Sequence, residues 1–148
     1  MKFWDSSALI PLLVEEETTV PLRDLYIEEE GAIVWWGTAV ECASAVCRLE
    51  REERLSPAAA TEALKRLDAL ARSWHRIEPV DEILESARRF LRVHPLRAAD
   101  SLQLAAAFLA SEGRPSTLEL VCLDDRLSIA AQREGFVVKD RARIGGAP

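Results

Sequence analysis

The chain has 148 residues, of which 49% are hydrophobic and 30% are charged, so we expect one globular domain with its own core. No apolar stretch approaches the roughly 20 residues that a transmembrane helix needs, and the N-terminus does not have the pattern of a signal peptide, so we expect a cytoplasmic protein. The net charge of −6 argues against a general nucleic-acid-binding protein, which would normally be basic.

The three cysteines are in apolar surroundings and do not form a CxxC pair: they are Cys42, Cys47 and Cys122. The chain has two histidines, and neither lies at a useful spacing from a cysteine for a zinc site. We therefore expect three buried free thiols.

Short apolar runs alternate with longer helical patterns, which is typical of an α/β fold. The alternation predicts a mostly parallel sheet of four to five short strands, flanked by about seven helices. Strands are expected at about residues 2–5, 32–36, 76–78, 118–123 and 136–138. Helices are expected at about residues 6–14, 18–29, 38–53, 57–74, 80–93, 97–112 and 125–134. The last six or so residues are expected to be frayed.

Four acidic residues fall where an α/β chain brings its functional groups together. Asp5 and Asp124 each follow an apolar strand, and Glu41 and Asp100 each lie in the first turn of a predicted helix. In an open parallel sheet, strand C-termini and helix N-termini share one edge, where ligands usually bind. Four carboxylates on that edge repel one another unless a positive group lies among them. Because Mg²⁺ and Mn²⁺ prefer oxygen ligands, the pattern predicts a divalent-metal site.

Three of these acids also have an ordinary structural interpretation. Thr38-Ala39-Val40-Glu41 has the pattern of a capping box, in which the Glu41 side chain binds the first backbone N–H of its helix. Asp100 complements the dipole of its helix, and Asp124 can cap the helix that follows it. The position of all four acids on one predicted edge favours the functional interpretation, although several classes of Mg²⁺ enzyme share this pattern.

Four segments resemble, in order along the chain, the acidic motifs of PIN-domain proteins. They are Phe3-Trp4-Asp5-Ser6-Ser7-Ala8-Leu9, Thr38-Ala39-Val40-Glu41-Cys42-Ala43-Ser44-Ala45, Leu96-Arg97-Ala98-Ala99-Asp100-Ser101-Leu102-Gln103-Leu104-Ala105 and Val121-Cys122-Leu123-Asp124-Asp125-Arg126-Leu127. The third segment is the most specific match, and the four together span nearly the whole chain. The chain length further resembles that of VapC-like toxins of type II toxin–antitoxin modules.

The resemblance implies a PIN domain over residues 1–148 that acts as an endoribonuclease with one or two Mg²⁺ or Mn²⁺ ions. Such proteins are usually homodimers and are held inactive by a small VapB-like antitoxin. The substrate would be single-stranded or looped RNA, such as a tRNA or rRNA loop. One position departs from a common form of the family, since Gln103 stands where many members have His. That position is not expected to bind the metal.

The four acids of the motifs are the expected catalytic and metal-binding residues: Asp5, Glu41, Asp100 and Asp124. Glu41 is either a metal ligand or the group that orients the attacking water. Ser7 and Asp125 are expected to support the site from just outside the ligands. Arg97 is a candidate RNA contact, because the planar guanidinium suits bidentate binding of phosphate.

Two other classes of protein are compatible with parts of the pattern. Phosphoaspartyl enzymes also place acids at strand ends, but phosphatases of the haloacid dehalogenase type need an Asp where Ser7 stands. A receiver domain needs a lysine near the final strands, and Lys139 is poorly placed for that role. The more serious alternative is a catalytically silent PIN-fold protein that serves as an RNA-binding protein or scaffold.

Overall fold

The computed structural model describes residues 1–146 and confirms the predicted α/β fold. The strands are β1 (Lys2–Trp4), β2 (Ala32–Trp35), β3 (His75–Ile77), β4 (Glu119–Val121) and β5 (Val137–Lys139). The α-helices of these residues are α1 (Ser6–Leu13), α2 (Thr19–Ile27), α3 (Thr38–Arg51), α4 (Pro57–Ala71), α5 (Asp81–Val93), α6 (Ala98–Ala110), α7 (Asp125–Arg133) and α8 (Arg141–Ile144). A 3₁₀ helix covers Pro115–Thr117.

The five strands form one sheet in the order β3-β2-β1-β4-β5, and each neighbouring pair is parallel. Strand β1 is central, with Phe3 opposite Ile33 of β2 on one side and opposite Leu120 of β4 on the other. Since parallel strands require crossover connections, helices α1 to α7 lie between successive strands along the chain, α8 follows β5, and helices cover both faces of the sheet.

Two hydrophobic cores lie on opposite faces of the sheet, as the alternation of side chains along a strand requires. Phe3 belongs to the core that includes Phe90 of α5 and Leu104 of α6. The next residue, Trp4, belongs to the core that includes Leu9 of α1 and Val46 of α3. All of these side chains are completely buried, and each such burial contributes about 1.5–3 kcal/mol or more to folding. The strand that carries Asp5 is therefore fixed from both faces.

The structure adds one short helix near the C-terminal end that the sequence did not predict. A short helix covers Arg141–Ile144, and the Asp140 side chain caps it by accepting a hydrogen bond from Arg143 N at 3.1 Å. The Arg143 guanidinium also donates to the Val138 carbonyl at 3.1 Å, which ties this helix to β5. Residues 147 and 148, the last two of the segment predicted to be frayed, lie outside the described residues.

The three thiols are free, but the prediction that all three are buried is wrong for Cys47. Cys42 and Val46 point into the core from the same side of α3, and both are completely buried. Cys47 follows Val46 by one residue, which turns its side chain by about 100° around the helix axis, away from that buried face. Its thiol is therefore partly exposed.

The order of elements brings two helix N-termini to the centre of the sheet edge. Strand β1 leads directly into α1, its neighbour β4 leads into α7, and Asp5 N donates to the Val121 carbonyl across the two strands at 3.0 Å. Across residues 1–146, no helix combines the length and the apolar character needed to cross a membrane.

Candidate functional site

Asp5 occupies the turn between β1 and α1 and is almost completely buried, with 4% of its surface exposed. Its Oδ2 accepts hydrogen bonds from the backbone N–H of Ser7, at 3.0 Å, and from the Ser7 hydroxyl. The Ser7 Oγ in turn accepts a bond from Leu123 N at 2.9 Å. Ser7 therefore connects the aspartate at the end of β1 to the chain that leaves β4.

Asp124 occupies the equivalent turn between β4 and α7. Its Oδ1 accepts a hydrogen bond from Leu127 N at 2.8 Å and so caps α7. Asp5 caps α1 in the same way. Because β1 and β4 are neighbours in a parallel sheet, the two capping aspartates lie side by side at its C-terminal edge. The capping interpretation of Asp124 is thus confirmed, and it is compatible with a functional role because a carboxylate has a second oxygen.

Asp100 lies in the first turn of α6. Its Oδ2 accepts a hydrogen bond from Arg97 N at 3.3 Å, which is half of a capping-box arrangement at this N-terminus. The side chain is partly exposed. Like the other two aspartates, Asp100 has one oxygen engaged with its own helix.

Glu41 lies in the first turn of α3 but does not cap it, so the capping-box interpretation of this residue is wrong. The helix begins at Thr38 after Gly37, and no side chain hydrogen bond caps it. The two carboxylate oxygens of Glu41 are bound by other elements: Oε2 by the Ser6 hydroxyl at 2.9 Å and Oε1 by the Gln103 amide at 3.2 Å. Glu41 thereby joins α1, α3 and α6 at one point.

The four carboxylates interact electrostatically. Burial raises the pKa of Asp5, hydrogen bonds from Ser7 oppose this, and the charges of Asp100 and Asp124 raise it further. Burial, followed by the charge of Asp5, raises the pKa of Glu41 from 4.5 to about 7. Burial also raises the pKa of Asp100, with a smaller contribution from Asp124. The predicted acids are therefore brought together, and their negative charges destabilise one another.

The donor set suits a hard divalent cation, because it consists of four carboxylates, and burial and neighbouring negative charges disfavour the ionisation of Asp5, Glu41 and Asp100. Within residues 1–146, however, no three His, Cys, Asp or Glu side chains are already arranged to hold an ion. In the described residues, Asp5, Asp100 and Asp124 each use one oxygen for a helix cap, which leaves the other oxygen of each without a protein donor. Binding an ion to three of these acids at once would therefore require their side chains to move.

Arginines border the acids. An open cavity of about 410 Å³ is lined by Arg97, Asp100, Leu123, Asp124, Asp125 and Arg126. The positive charges of Arg97 and Arg126 act on Asp100 and lower its pKa, against the larger effect of burial. The structure thus places the predicted residues Arg97 and Asp125 beside two of the acids, in a cavity open to solvent.

Three contacts of the acids were not predicted from the sequence. Ser6 and Gln103 bind Glu41, and the Cys122 thiol lies 3.7 Å from Asp5 Oδ2. A polar residue on the buried face of the Ala/Leu-rich helix α6 was the available signal for Gln103, which is 1% exposed. No comparable signal marked Cys122, because a single cysteine after an apolar strand is ordinarily a core residue.

Comparison with known proteins finds no family model and no curated protein that matches this chain. The activity of the site is therefore inferred from its residues and their geometry.

Proposed function

We propose that this protein is a Mg²⁺- or Mn²⁺-dependent endoribonuclease of the PIN-domain type and the toxin of a type II toxin–antitoxin module. The main support is that Asp5, Glu41, Asp100 and Asp124 meet at one sheet edge, where burial and mutual repulsion raise the pKa values of the first three. A divalent cation would neutralise this excess of negative charge. The order of the four motifs along the chain supplies the PIN-domain assignment.

In this proposal Asp5, Asp100 and Asp124 hold one or two ions, directly or through water, with the oxygens that do not cap a helix. Such an ion, when bound, lowers the pKa of a water and neutralises charge on the phosphate. Ser7 keeps the Asp5 carboxylate fixed, and Asp125 borders the cavity on the side of Arg126.

Glu41 would bind the attacking water or act as a further ligand. Its pKa of about 7 lets it accept a proton from that water near neutral pH. Hydrogen bonds from Ser6 and Gln103 hold its carboxylate in one orientation. The water oxygen forms a bond to phosphorus as the ester P–O bond breaks, and the departing oxygen takes up a proton.

Single-stranded or looped RNA, such as a tRNA or rRNA loop, is the proposed substrate. A polyanion needs positive groups beside an acidic site, and the exposed Arg97 and Arg126 are available there. An overall negative protein with basic groups near its site suits a selective enzyme better than a general RNA-binding protein.

The proposed partners are a VapB-like antitoxin and a second copy of this chain, in the cytoplasm. An arginine of the antitoxin could occupy the acidic cluster in place of the metal. A homodimer is supported by large apolar side chains exposed near the ends of the adjacent strands β2 and β3: Trp36 at 51%, Val40 at 73% and Leu84 at 55%. Contiguous exposed apolar patches often mark protein interfaces, and we propose that these three side chains form one.

A catalytically silent PIN-fold RNA-binding protein or scaffold is the second candidate. The observation that favours it is the lack of a ready-made set of three metal ligands in residues 1–146. It differs from the first candidate in one measurable respect, since it predicts no cleavage at any metal concentration.

Incubation of the purified protein with structured RNA in Mg²⁺, Mn²⁺ or EDTA tests the proposal. We expect cleavage with either metal, none in EDTA, and none for Asp100→Asn. The matched control is Asp81→Asn, which removes an exposed acid from the first turn of α5 and should leave activity unchanged. Cleavage in EDTA, or a fully active Asp100→Asn variant, would refute the mechanism, and a folded protein without activity would favour the scaffold.

A further inference from the structure

A second open cavity, of about 280 Å³, also borders the turn that carries Asp124. Its lining includes Ser7, Glu16, Arg48, Arg54, Asp124 and Arg141. Leu123 and Asp124 line both this cavity and the one that contains Arg97 and Arg126. The two cavities therefore meet at the acidic site, and each carries arginines.

The arginines of the second cavity are positioned to bind an external anion. Arg48 and Arg141 are exposed, and no carboxylate of the described residues lies within 4.0 Å of either guanidinium, although Glu16 and Asp124 line the same cavity. Arg54 forms one exposed ion pair, with Glu52 at 3.8 Å. Surface pairs of this kind contribute little and are easily exchanged.

Arg141 is held beside this cavity by its neighbours in the chain. It is the first residue of α8, which is capped by the Asp140 side chain and attached to β5 by Arg143. Neither contact uses the Arg141 guanidinium, which is therefore available to an anion in the cavity.

We propose that Arg48, Arg54 and Arg141 bind a backbone phosphate of the RNA strand whose neighbouring phosphodiester lies at the acidic site. The strand then runs from Arg97 and Arg126, across Asp124, to the second cavity. This inference rests on the proposed function, because it takes RNA as the ligand. Arginine forks suit phosphate oxygens, and positive groups on both sides of the acids offset the repulsion between those acids and a polyanion.

Binding of a fluorescent single-stranded RNA oligonucleotide, measured by anisotropy with Mg²⁺, tests the inference. The background is Asp100→Asn, so that the RNA stays intact. In that background Arg48→Gln with Arg141→Gln should weaken binding roughly tenfold or more, as expected when hydrogen bonds between charged groups are removed. The slope of log Kd against log salt should fall by about 0.7 for each phosphate that the variant no longer binds.

The matched control is the pair Arg72→Gln and Arg133→Gln, which removes the same amount of charge. Both arginines are exposed, and in the described residues neither has a carboxylate within 4.0 Å. Neither arginine lines either cavity. Binding that is normal in both pairs, or equally weakened in both, would overturn the inference. The inference would also be overturned if the cavity pair, Arg48→Gln with Arg141→Gln, bound RNA normally but no longer bound polyglutamate. That result would indicate an acidic protein partner.

The inferred phosphate site and the proposed nuclease function can be refuted independently of each other. If the wild type cleaves RNA but the cavity pair binds like the control, the nuclease proposal stands and the second cavity is not a phosphate site. If the wild type cleaves no RNA but the cavity pair selectively loses RNA binding, the phosphate site stands and the protein is a binder.

Discussion

Replacing Glu41 by Gln should stabilise the metal-free protein, and the gain should depend on pH. The amide preserves the size of the side chain and both of its contacts: its oxygen still accepts from Gln103, and its nitrogen donates to the Ser6 hydroxyl. What the substitution removes is a charge that burial and Asp5 make unfavourable in the folded state.

The magnitude follows from the pKa of Glu41, which rises from 4.5 in an open chain to about 7 in the folded protein. The folded state binds the proton of Glu41 more tightly than the unfolded state does. The stability that this proton contributes is therefore fully present below pH 4.5 and is lost as the pH rises through 7. At about 1.4 kcal/mol per pH unit, the whole effect is about 3 kcal/mol at most. Because the side chain is partly exposed, we expect about 2 kcal/mol of it between pH 5 and pH 8.

The assay is urea or thermal unfolding of wild type and Glu41→Gln in EDTA at pH 5 and pH 8. The advantage of the variant should grow by about 2 kcal/mol, or roughly 4–8 °C in Tm, from the lower to the higher pH. Addition of Mg²⁺ at pH 8 should stabilise the wild type more than the variant, as a ligand of the native state does. A gap that is the same at both pH values, or that favours the wild type at pH 8, would refute the electrostatic reasoning.

Three further predictions concern single side chains. Ser7→Ala should destabilise the protein by about 1–3 kcal/mol in urea unfolding, because Leu123 N loses its acceptor, whereas the exposed Ser44→Ala should have little effect. Gln103→Leu removes a bond that lowers the pKa of Glu41, so the acidic limb of the pH–rate profile for RNA cleavage should move to higher pH; an unmoved limb would contradict this. Val40→Arg should convert a homodimer to a monomer in light scattering, and a dimer that survives would exclude this face as the interface.

The fold and the positions of the acids were predictable because they depend on local patterns. An apolar run followed by a capping residue predicted Asp5 and Asp124 at strand ends, and the parallel sheet then required their shared edge. The hydrogen bond between Glu41 and Gln103 was not predictable, since it joins residues 62 positions apart and depends on how α3 and α6 pack. The same holds for α8, which is held by the contact between Arg143 and Val138.

The central claim is that the acidic cluster is a divalent-cation site, and a Mn²⁺ titration followed by electron paramagnetic resonance tests it most directly. The signal of free Mn²⁺ should fall on addition of the wild type and of Asp81→Asn. It should fall much less on addition of Asp124→Asn, whose amide can still cap α7 through its oxygen but lacks the charge. Equal Mn²⁺ binding by all three proteins, or none by the folded wild type, would contradict the assignment.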